Sequence, residues 1–223
     1  MLHDLVLSLL IWLPVLAAVI LVFLSNPKFE TLARTIALSV SLLSLLLCLY
    51  VWMNFDASTS KMQFVEFARW IPSLKINYHL GVDGISMPFV VLTVFTTVVV
   101  VLASWTMVKK KVASYLAAFL VMQAMIVGVF CALDSMLFYF FWEGMLIPMY
   151  LSIGIWGGPN RSYAAIKFFL YTFFGSALML IALLYLRMLP ESNSFNILSY
   201  YHLSLSHTQQ LWLFGAFFYG LCN

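Results

Sequence analysis

Six long apolar segments constrain the fold of this chain more than any other feature of its sequence. Each is long enough to cross a hydrocarbon core of ~30 Å as a helix, which takes about 20 residues. Only the fifth segment contains a charged residue, a single glutamate, and the others contain no Asp, Glu, Lys or Arg. Their bounds are Leu5–Leu24, Thr35–Met53, Gly84–Val108, Val112–Leu133, Ser135–Trp156 and Phe168–Leu186.

These segments predict an all-α membrane protein. Backbone polar groups inside a bilayer must bond to each other, so the spans are helices or a closed barrel. Barrel strands would alternate polar and apolar residues, which these segments do not. Charged residues make up 9% of the chain, against roughly 25% in soluble domains. The sequence therefore predicts a polytopic helix bundle surrounded by the lipid bilayer and excludes a soluble globular fold.

We expect one membrane domain that covers the whole chain. The connection between the second and third spans mixes aromatic and β-branched residues with Pro and Gly, which is typical of a short hairpin or packed loop on the outer face. The predicted parts are helices one and two at 5–53, this loop or hairpin at 54–83, helices three to six at 84–186, and an incomplete helix seven at 211–223, within a single domain 1–223.

The seventh apolar run is shorter than the others. It extends from Leu211 to Cys222, which is about 18 Å of helix at 1.5 Å per residue. A span of this length does not cross a bilayer. We therefore expect six full transmembrane helices, the start of a seventh, and a truncated chain.

Lysines and arginines in the connections predict the orientation, because positively charged short loops stay on the cytoplasmic side. Connections one, three and five carry Lys28, Arg34, Lys109, Lys110, Lys111, Arg161 and Lys167. The opposite side carries Lys61, Arg69, Lys75 and Arg187. The amino terminus, with His3 and Asp4 but no Lys or Arg, is thus predicted outside.

Several classes of site find no support in the sequence. The net charge of +3 is scattered, so we expect no nucleic-acid partner. Cys48, Cys131 and Cys222 stand singly in apolar runs, which favours buried apolar residues over metal ligands. No Gly-x-Gly-x-x-Gly motif follows a strand. The chain is therefore predicted to hold no metal, no bound cofactor and no redox-catalytic residue.

Glu143 is the strongest functional signal in the chain. It lies close to the middle of the fifth span, where insertion of a carboxylate into the membrane is unfavourable by about 3 kcal/mol. Charged residues at this depth usually mark ion or proton paths. The alternative is a neutral glutamic acid hydrogen-bonded to a neighbour, since burial favours the protonated form. No span carries an internal Lys or Arg, so a cationic partner is expected from another subunit or from sequence beyond this chain.

Three residues near Glu143 are predicted to support it. Tyr139 and Tyr150 lie four residues before and seven residues after it, on the same helical face, where their hydroxyls can hold a water. Pro148 cannot donate to the carbonyl of Gly144, which leaves that carbonyl free for water or a neighbouring helix. A proline kink used only for packing is an open alternative.

Three stretches of the sequence closely resemble the subunit M family of NADH-quinone oxidoreductase (respiratory complex I). They are "YHLGVDGISMPFVVLT" (78–93), "ALDSMLFYFFWEGMLIPMYLSIGIWGGPNRSYAAIKFFLYTFFGSALML" (132–180) and "LWLFGAFF" (211–218). The resemblance implies the first part of an antiporter-like inverted-repeat fold. It also implies that Glu143 matches a glutamate that pairs with a seventh-helix lysine and tunes proton movement.

The resemblance implies a proton-translocating membrane-arm subunit that couples electron transfer from NADH to quinone, such as ubiquinone, to proton pumping. NADH, FMN, iron–sulfur clusters and quinone would belong to the parent complex, with other membrane-arm subunits as partners and the bacterial plasma (inner) membrane as the location. The alternatives are a subunit of an Mrp-type sodium/proton antiporter or membrane hydrogenase, and a membrane fragment without activity.

Overall fold

The computed structural model describes residues 5–189 and 194–222, and most of them are helical. His3 and Asp4, on which the orientation was argued, lie outside the described residues. The helices are α1 (Val6–Phe23), α2 (Glu30–Met53), α3 (Ser86–Met107), α4 (Val112–Cys131), α5 (Ser135–Gly144), α6 (Leu146–Trp156), α7 (Arg161–Met188) and α8 (His207–Cys222).

The predicted all-α membrane bundle is confirmed. Six stretches of the described residues are helical, long and apolar enough to cross a membrane. They fall on the six predicted segments, with α5 and α6 together forming the fifth.

Three helices begin earlier than predicted, and one of them is α8, which begins at His207 rather than Leu211. Helix α2 begins at Glu30 rather than Thr35, and α7 at Arg161 rather than Phe168. Arg34 and Lys167 therefore lie in helices and not in connections, as the topology argument assumed. Apolar runs mark only the lipid-facing part of a helix, whose polar first turn extends into the interface.

The early start of α2 is held by Arg34, a residue that is 8% exposed. Its guanidinium donates to the carbonyls of Ser104 (3.0 Å) and Val108 (2.8 Å) and to the carboxylate of Glu30 (2.9 Å). Val108 follows the last residue of α3, where helix carbonyls lack intrahelical partners, and the Ser104 carbonyl also accepts from the amide of Val108 at 3.1 Å. The contacts fasten the beginning of α2 to the end of α3.

The long connection between α2 and α3 contains a two-stranded sheet. Strand β1 (Gln63–Ile71) pairs with β2 (Ile76–Val82). A short 3-10 turn at Pro72–Leu74 joins them and ends at Lys75 with φ 58°.

The chain divides into two units. The first comprises residues Met1–Glu66 and Leu80–Cys131, which include α1 to α4. Small side chains let its helices approach closely, and its buried cluster contains Ala17, Ala18, Ala33, Ala37, Ala113 and Ala117.

The second unit comprises Phe67–His79 and Ala132–Asn223, which include α5 to α8. Helices α7 and α8 pack tightly near Gly220. A Cβ atom added there would lie 2.9 Å from the carbonyl oxygen of Gly175 and 2.9 Å from the Cβ of Met179. Only glycine fits at this crossing without displacing the backbone of α7.

Candidate proton-transfer site

The position of the candidate site along the membrane is set by the start of α5. Asp134, 1% exposed, caps this helix by accepting hydrogen bonds from the backbone amides of Met136 (3.0 Å) and Leu137 (3.3 Å). Its other carboxylate oxygen accepts from the backbone amide of Asn77 at 3.0 Å. One side chain thus satisfies two free amides of the helix end and holds the hairpin against it.

Backbone hydrogen bonds strengthen this anchor. The amide of Leu133 donates to the carbonyl of His79 (2.8 Å), and the amide of Ser135 donates to the carbonyl of Phe195 (2.8 Å). The hydroxyls of Ser135 and Tyr200 are 2.8 Å apart. The residues before α5 are therefore bonded to both the hairpin and the segment that precedes α8.

Burial shifts the pKa values of two groups at this anchor in opposite directions. Burial raises the pKa of the Asp134 carboxyl, against the lowering effect of its amide bonds and of His79. Burial lowers the pKa of the His79 imidazole, and the negative charge of Asp134 partly opposes that change. The folded protein therefore favours the neutral form of both the Asp134 carboxyl and the His79 imidazole.

The fifth span is interrupted just after Glu143. Helix α5 ends at Gly144, Met145 lies between the helices, and α6 begins at Leu146. Pro148 has no N–H to donate to the carbonyl of Gly144, its partner in a continuous helix. The interruption places Glu143 in the last turn of α5.

Glu143 lies about 12 Å along the span from Ser135, at 1.5 Å per residue. Its side chain is half-buried, and its Oε1 atom is buried with no hydrogen-bond partner among the described residues. The residue lines a cavity of about 510 Å³ whose other lining residues are largely apolar and aromatic. They include Trp70, Ile71, Ile76, Tyr139, Phe140, Phe169 and Phe173.

Tyr139 is the predicted neighbour that the structure brings to Glu143. Its hydroxyl interacts with the Glu143 carboxylate and with the Ser176 side chain of α7. Ser176 is fully buried and donates its hydroxyl to the carbonyl of Phe173 at 3.0 Å. The three side chains form a polar group in otherwise apolar surroundings.

Tyr150 and Pro148 contribute differently. Tyr150 packs its ring against Phe169, with centroids 5.7 Å apart, and is not among the residues that line the cavity. Pro148 is buried, and its carbonyl accepts from the hydroxyl of Ser152 at 2.8 Å. Tyr150 lies in α6, beyond the interruption that follows Glu143.

Two cations within α7 contact aromatic rings. Lys167 lies 6.0 Å and 5.9 Å from the ring centres of Tyr163 and Tyr171. The guanidinium of Arg187 lies 5.4 Å from the ring centre of Phe195. Lys167 lies in the second turn of α7, and Arg187 lies next to its last residue, Met188.

Across residues 5–189 and 194–222, no group of three or more His, Cys, Asp or Glu side chains is placed to hold a metal ion. Cys48, Cys131 and Cys222 are free thiols; the first two are buried as predicted, whereas the prediction is wrong for Cys222, which is exposed near the end of α8.

Two residues of the site were missed by sequence reasoning. Ser176 is one of many small polar residues in apolar helices, and nothing in its spacing pairs it with Tyr139. Asp134 lies directly before α5, which is the position of an N-cap residue. This position in the sequence could have predicted its capping role. Its bond to Asn77 spans 57 residues and leaves no mark in the sequence.

These features define a class: a polytopic helical membrane protein with a carboxyl group at mid-depth beside a broken helix. Two family profiles match consecutive parts of the chain. "NADH-ubiquinone oxidoreductase chain 4, amino terminus" matches residues 8–132, and "NADH:quinone oxidoreductase/Mrp antiporter, TM" matches residues 132–223. The chain belongs to the NADH-quinone oxidoreductase subunit M/chain 4 family.

Curated relatives agree with this membership. NADH-quinone oxidoreductase subunit M of Rickettsia prowazekii is 42% identical over 183 residues, which cover 81% of this chain and 37% of the relative. NADH-ubiquinone oxidoreductase chain 4 of Arabidopsis thaliana is 43% identical over 213 residues, which cover 95% of this chain and 42% of the relative. The chain thus spans about two fifths of the length of these relatives.

Solved structures show the same fold. A chain of respiratory complex I from Thermus thermophilus matches with a TM-score of 0.84 and 28% identity, over 97% of this chain and 43% of that one. A chain of the Mrp complex from Dietzia sp. DQ12-45-1b matches with a TM-score of 0.81 at 17% identity, over 96% of this chain and 23% of that one. The second likeness concerns the fold alone.

Proposed function

We propose that this chain contributes a proton-transfer site to a membrane-arm subunit of NADH-quinone oxidoreductase, and that Glu143 carries the proton. The observation that supports the proposal is the setting of Glu143. It is an ionisable group in the middle of a span, in an apolar cavity, with a buried oxygen that has no hydrogen-bond partner among the described residues.

The physical reason is that this setting makes the charge of Glu143 sensitive to its surroundings. A carboxylate in a poorly solvated cavity responds strongly to a nearby cation, which favours the charged form. Removal of that cation favours uptake of a proton. Movement of a cation toward the carboxyl would therefore release a proton, and movement away from it would bind one, without redox chemistry in this chain.

Tyr139 and Ser176 have a positioning role in this proposal. The Tyr139 hydroxyl can donate to the charged carboxylate and accept from the protonated one. Ser176 holds the tyrosine from α7. The interruption after Gly144, caused by Pro148, provides polar backbone beside the carboxyl where water can bind.

The wider assignment extends to the parent complex. We propose other membrane-arm subunits of complex I as partners, with NADH, FMN, iron–sulfur clusters and quinone bound elsewhere in the complex. The proposed location is the bacterial plasma membrane, with the amino terminus outside. Identity above 40% to subunit M and chain 4 proteins supports this assignment over an Mrp-type sodium/proton antiporter, whose likeness rests on the fold.

The test is Glu143→Gln in the complete subunit, assembled in its membrane complex, with Glu143→Asp as the matched control that keeps a carboxyl. Proton translocation driven by NADH oxidation is measured with a pH-sensitive dye in sealed vesicles. NADH oxidation by a soluble electron acceptor reports the amount of assembled complex.

The proposal predicts that Glu143→Gln lowers translocation at least about tenfold, the effect of removing a positioned proton-transfer group, and leaves oxidation by the soluble acceptor unchanged. Glu143→Asp should restore part of the translocation. Equal translocation in Glu143→Gln and the unmodified protein would refute the proposal. A sodium requirement for translocation would favour the antiporter alternative.

A further inference from the structure

A second polar site lies among α3 and α4, on residues that do not contribute to the cavity around Glu143. Gln123 occupies the middle of α4, and its side chain is 1% exposed. Both atoms of its amide group, Oε1 and Nε2, are buried without a hydrogen-bond partner among the described residues. A buried amide of this kind is unfavourable unless something bonds to it.

Gln123 lines a cavity of about 280 Å³ that also contains a polar strip of α3. The strip consists of Thr93, Thr96 and Thr97, which share one face of the helix at spacings of three and four residues. The remaining lining residues are apolar: Leu92, Val100, Phe119, Met122 and Ile126.

The threonine hydroxyls have acceptor capacity to offer in this cavity. Thr93 donates its hydroxyl to the carbonyl of Phe89 at 2.7 Å, and Thr97 donates to the carbonyl of Thr93 at 3.0 Å. A hydroxyl that donates to the backbone keeps its oxygen lone pairs for another donor. The cavity therefore has hydroxyl acceptors from α3, and Gln123 on its wall carries a buried amide whose donor and acceptor are both unsatisfied among the described residues.

We propose that this α3–α4 cavity is a water-binding site at the middle of the membrane, and that Gln123 is the residue that holds the water. Water is the smallest ligand that can donate to the threonine and amide oxygens and accept from the amide nitrogen. At about 30 Å³ for each molecule, the cavity has room for several waters. An acyl chain would fill the space but leave the Gln123 amide unpaired.

The depth of the cavity in the membrane also agrees with a water-binding site. Helix α3 extends over Ser86–Met107 and α4 over Val112–Cys131, so Thr97 and Gln123 each lie near the centre of their helix. Water in that position has to be held by fixed polar groups, because the surrounding lipid offers none. The three threonine hydroxyls of α3 and the amide of Gln123 are such fixed polar groups.

Cysteine labelling in native membranes tests the proposal. Thr97→Cys places a thiol on the cavity wall, and Val98→Cys places one at the next position, outside the cavity lining. Thr97 and Val98 are both 7% exposed, so they are matched in burial and depth. Cys48, Cys131 and Cys222 are first replaced by serine or alanine. The probe is a small, charged methanethiosulfonate reagent.

We expect Thr97→Cys to react at least about tenfold faster than Val98→Cys, because the reactive thiolate forms only where water reaches the sulfur. Adding Gln123→Leu should slow the labelling of Thr97→Cys at least about threefold, since the polar anchor for the water is lost. Gln123→Met, which keeps the length of the side chain, repeats this comparison if the leucine variant does not assemble.

Three results would overturn the proposal. One is labelling of Thr97→Cys no faster than that of Val98→Cys. Another is rapid labelling that persists unchanged in both Gln123 variants, which would exclude Gln123 as the anchor. Protection of Thr97→Cys in membranes with rapid labelling after detergent extraction would show that a neighbouring helix fills the cavity, and would equally overturn it.

Discussion

The carboxylate of Asp134 accepts a hydrogen bond from the backbone amide of Asn77 at 3.0 Å, although 57 residues separate the two. The same carboxylate caps α5. Glu143 lies in that helix, so the bond couples the hairpin to the element that carries the candidate proton-transfer group. The depth of Glu143 follows from this anchor together with the helical rise.

Removal of the Asp134 carboxylate is expected to destabilise the start of α5. Asp134→Ala leaves the amides of Asn77 and Met136 without their acceptor, and we expect a loss of about 1–3 kcal/mol in the free energy of unfolding. Asp56→Ala is the control, because the Asp56 carboxylate bonds to Ser58 in an exposed turn. Thermal unfolding of purified protein in detergent measures both. Equal melting temperatures for the two variants would contradict the anchoring role of Asp134.

Stability should depend on pH through His79. Burial lowers the pKa of His79 below its ordinary value of 6.5, against the charge of Asp134. The folded protein therefore prefers the neutral imidazole, so this contribution to stability is present above pH 6.5 and is lost as the pH falls through the lowered pKa. We expect His79→Gln to weaken the fall of melting temperature on acidification below pH 6.5.

Asp134 should give a pH dependence of the opposite sign. Burial raises its pKa above the ordinary value of 3.8, so its contribution is fully present below pH 3.8 and is lost as the pH rises through the raised pKa. Asp134→Asn should therefore steepen the loss of stability on acidification that His79 causes. Identical pH profiles for His79→Gln and Asp134→Asn would contradict the assigned directions.

Glu66 of β1 is expected to hold the first turn of α1. It is 5% exposed, and its carboxylate accepts from the amide of Leu7 at 2.7 Å and from the amide and hydroxyl of Ser8. Glu66→Ala should lower the free energy of unfolding by about 2 kcal/mol, because charged acceptors at a helix start are strong. Glu66→Gln keeps one acceptor oxygen and should lose less. A larger loss for Gln than for Ala in thermal unfolding would contradict this role.

The close packing of α7 and α8 at Gly220 gives a further prediction. Gly220→Ala places a Cβ 2.9 Å from the Gly175 carbonyl oxygen, so the helices must separate, with a loss of about 1–3 kcal/mol. Gly215→Ala is the matched control on the same helix, because an added Cβ there meets nothing within 4 Å. Thermal unfolding in detergent measures both variants. A Gly220→Ala variant as stable as Gly215→Ala would show that the two helices do not pack at this glycine.

Much of the fold follows from hydropathy. The six predicted segments are helical because lipid leaves the backbone no other partner. The starts of α2 and α7 escaped prediction since Arg34 binds the end of α3 and the polar first turn of α7 is not hydrophobic. Such contacts depend on which helices are neighbours. The hydrophobic periodicity of a single sequence does not indicate which helices pack together.

The candidate site was only partly predictable. Glu143 stands out because charge in a span is costly, and Tyr139 because four residues separate it from Glu143 on a helix. The supporting role of Tyr150 stays a prediction, because it rests on helical spacing across the interruption at Met145. Ser176 and the Asp134 anchor depend on contacts between distant segments, which residue spacing does not report.

Infrared difference spectroscopy during NADH-driven turnover, on the complete subunit in its assembled complex, tests the central claim most directly. If Glu143 carries the proton, the spectrum contains a carboxylic-acid carbonyl band that disappears in Glu143→Gln and shifts in Tyr139→Phe, which removes the neighbouring hydroxyl. Identical spectra in the carbonyl region for the unmodified complex and Glu143→Gln would show that Glu143 does not change protonation, and would contradict the account.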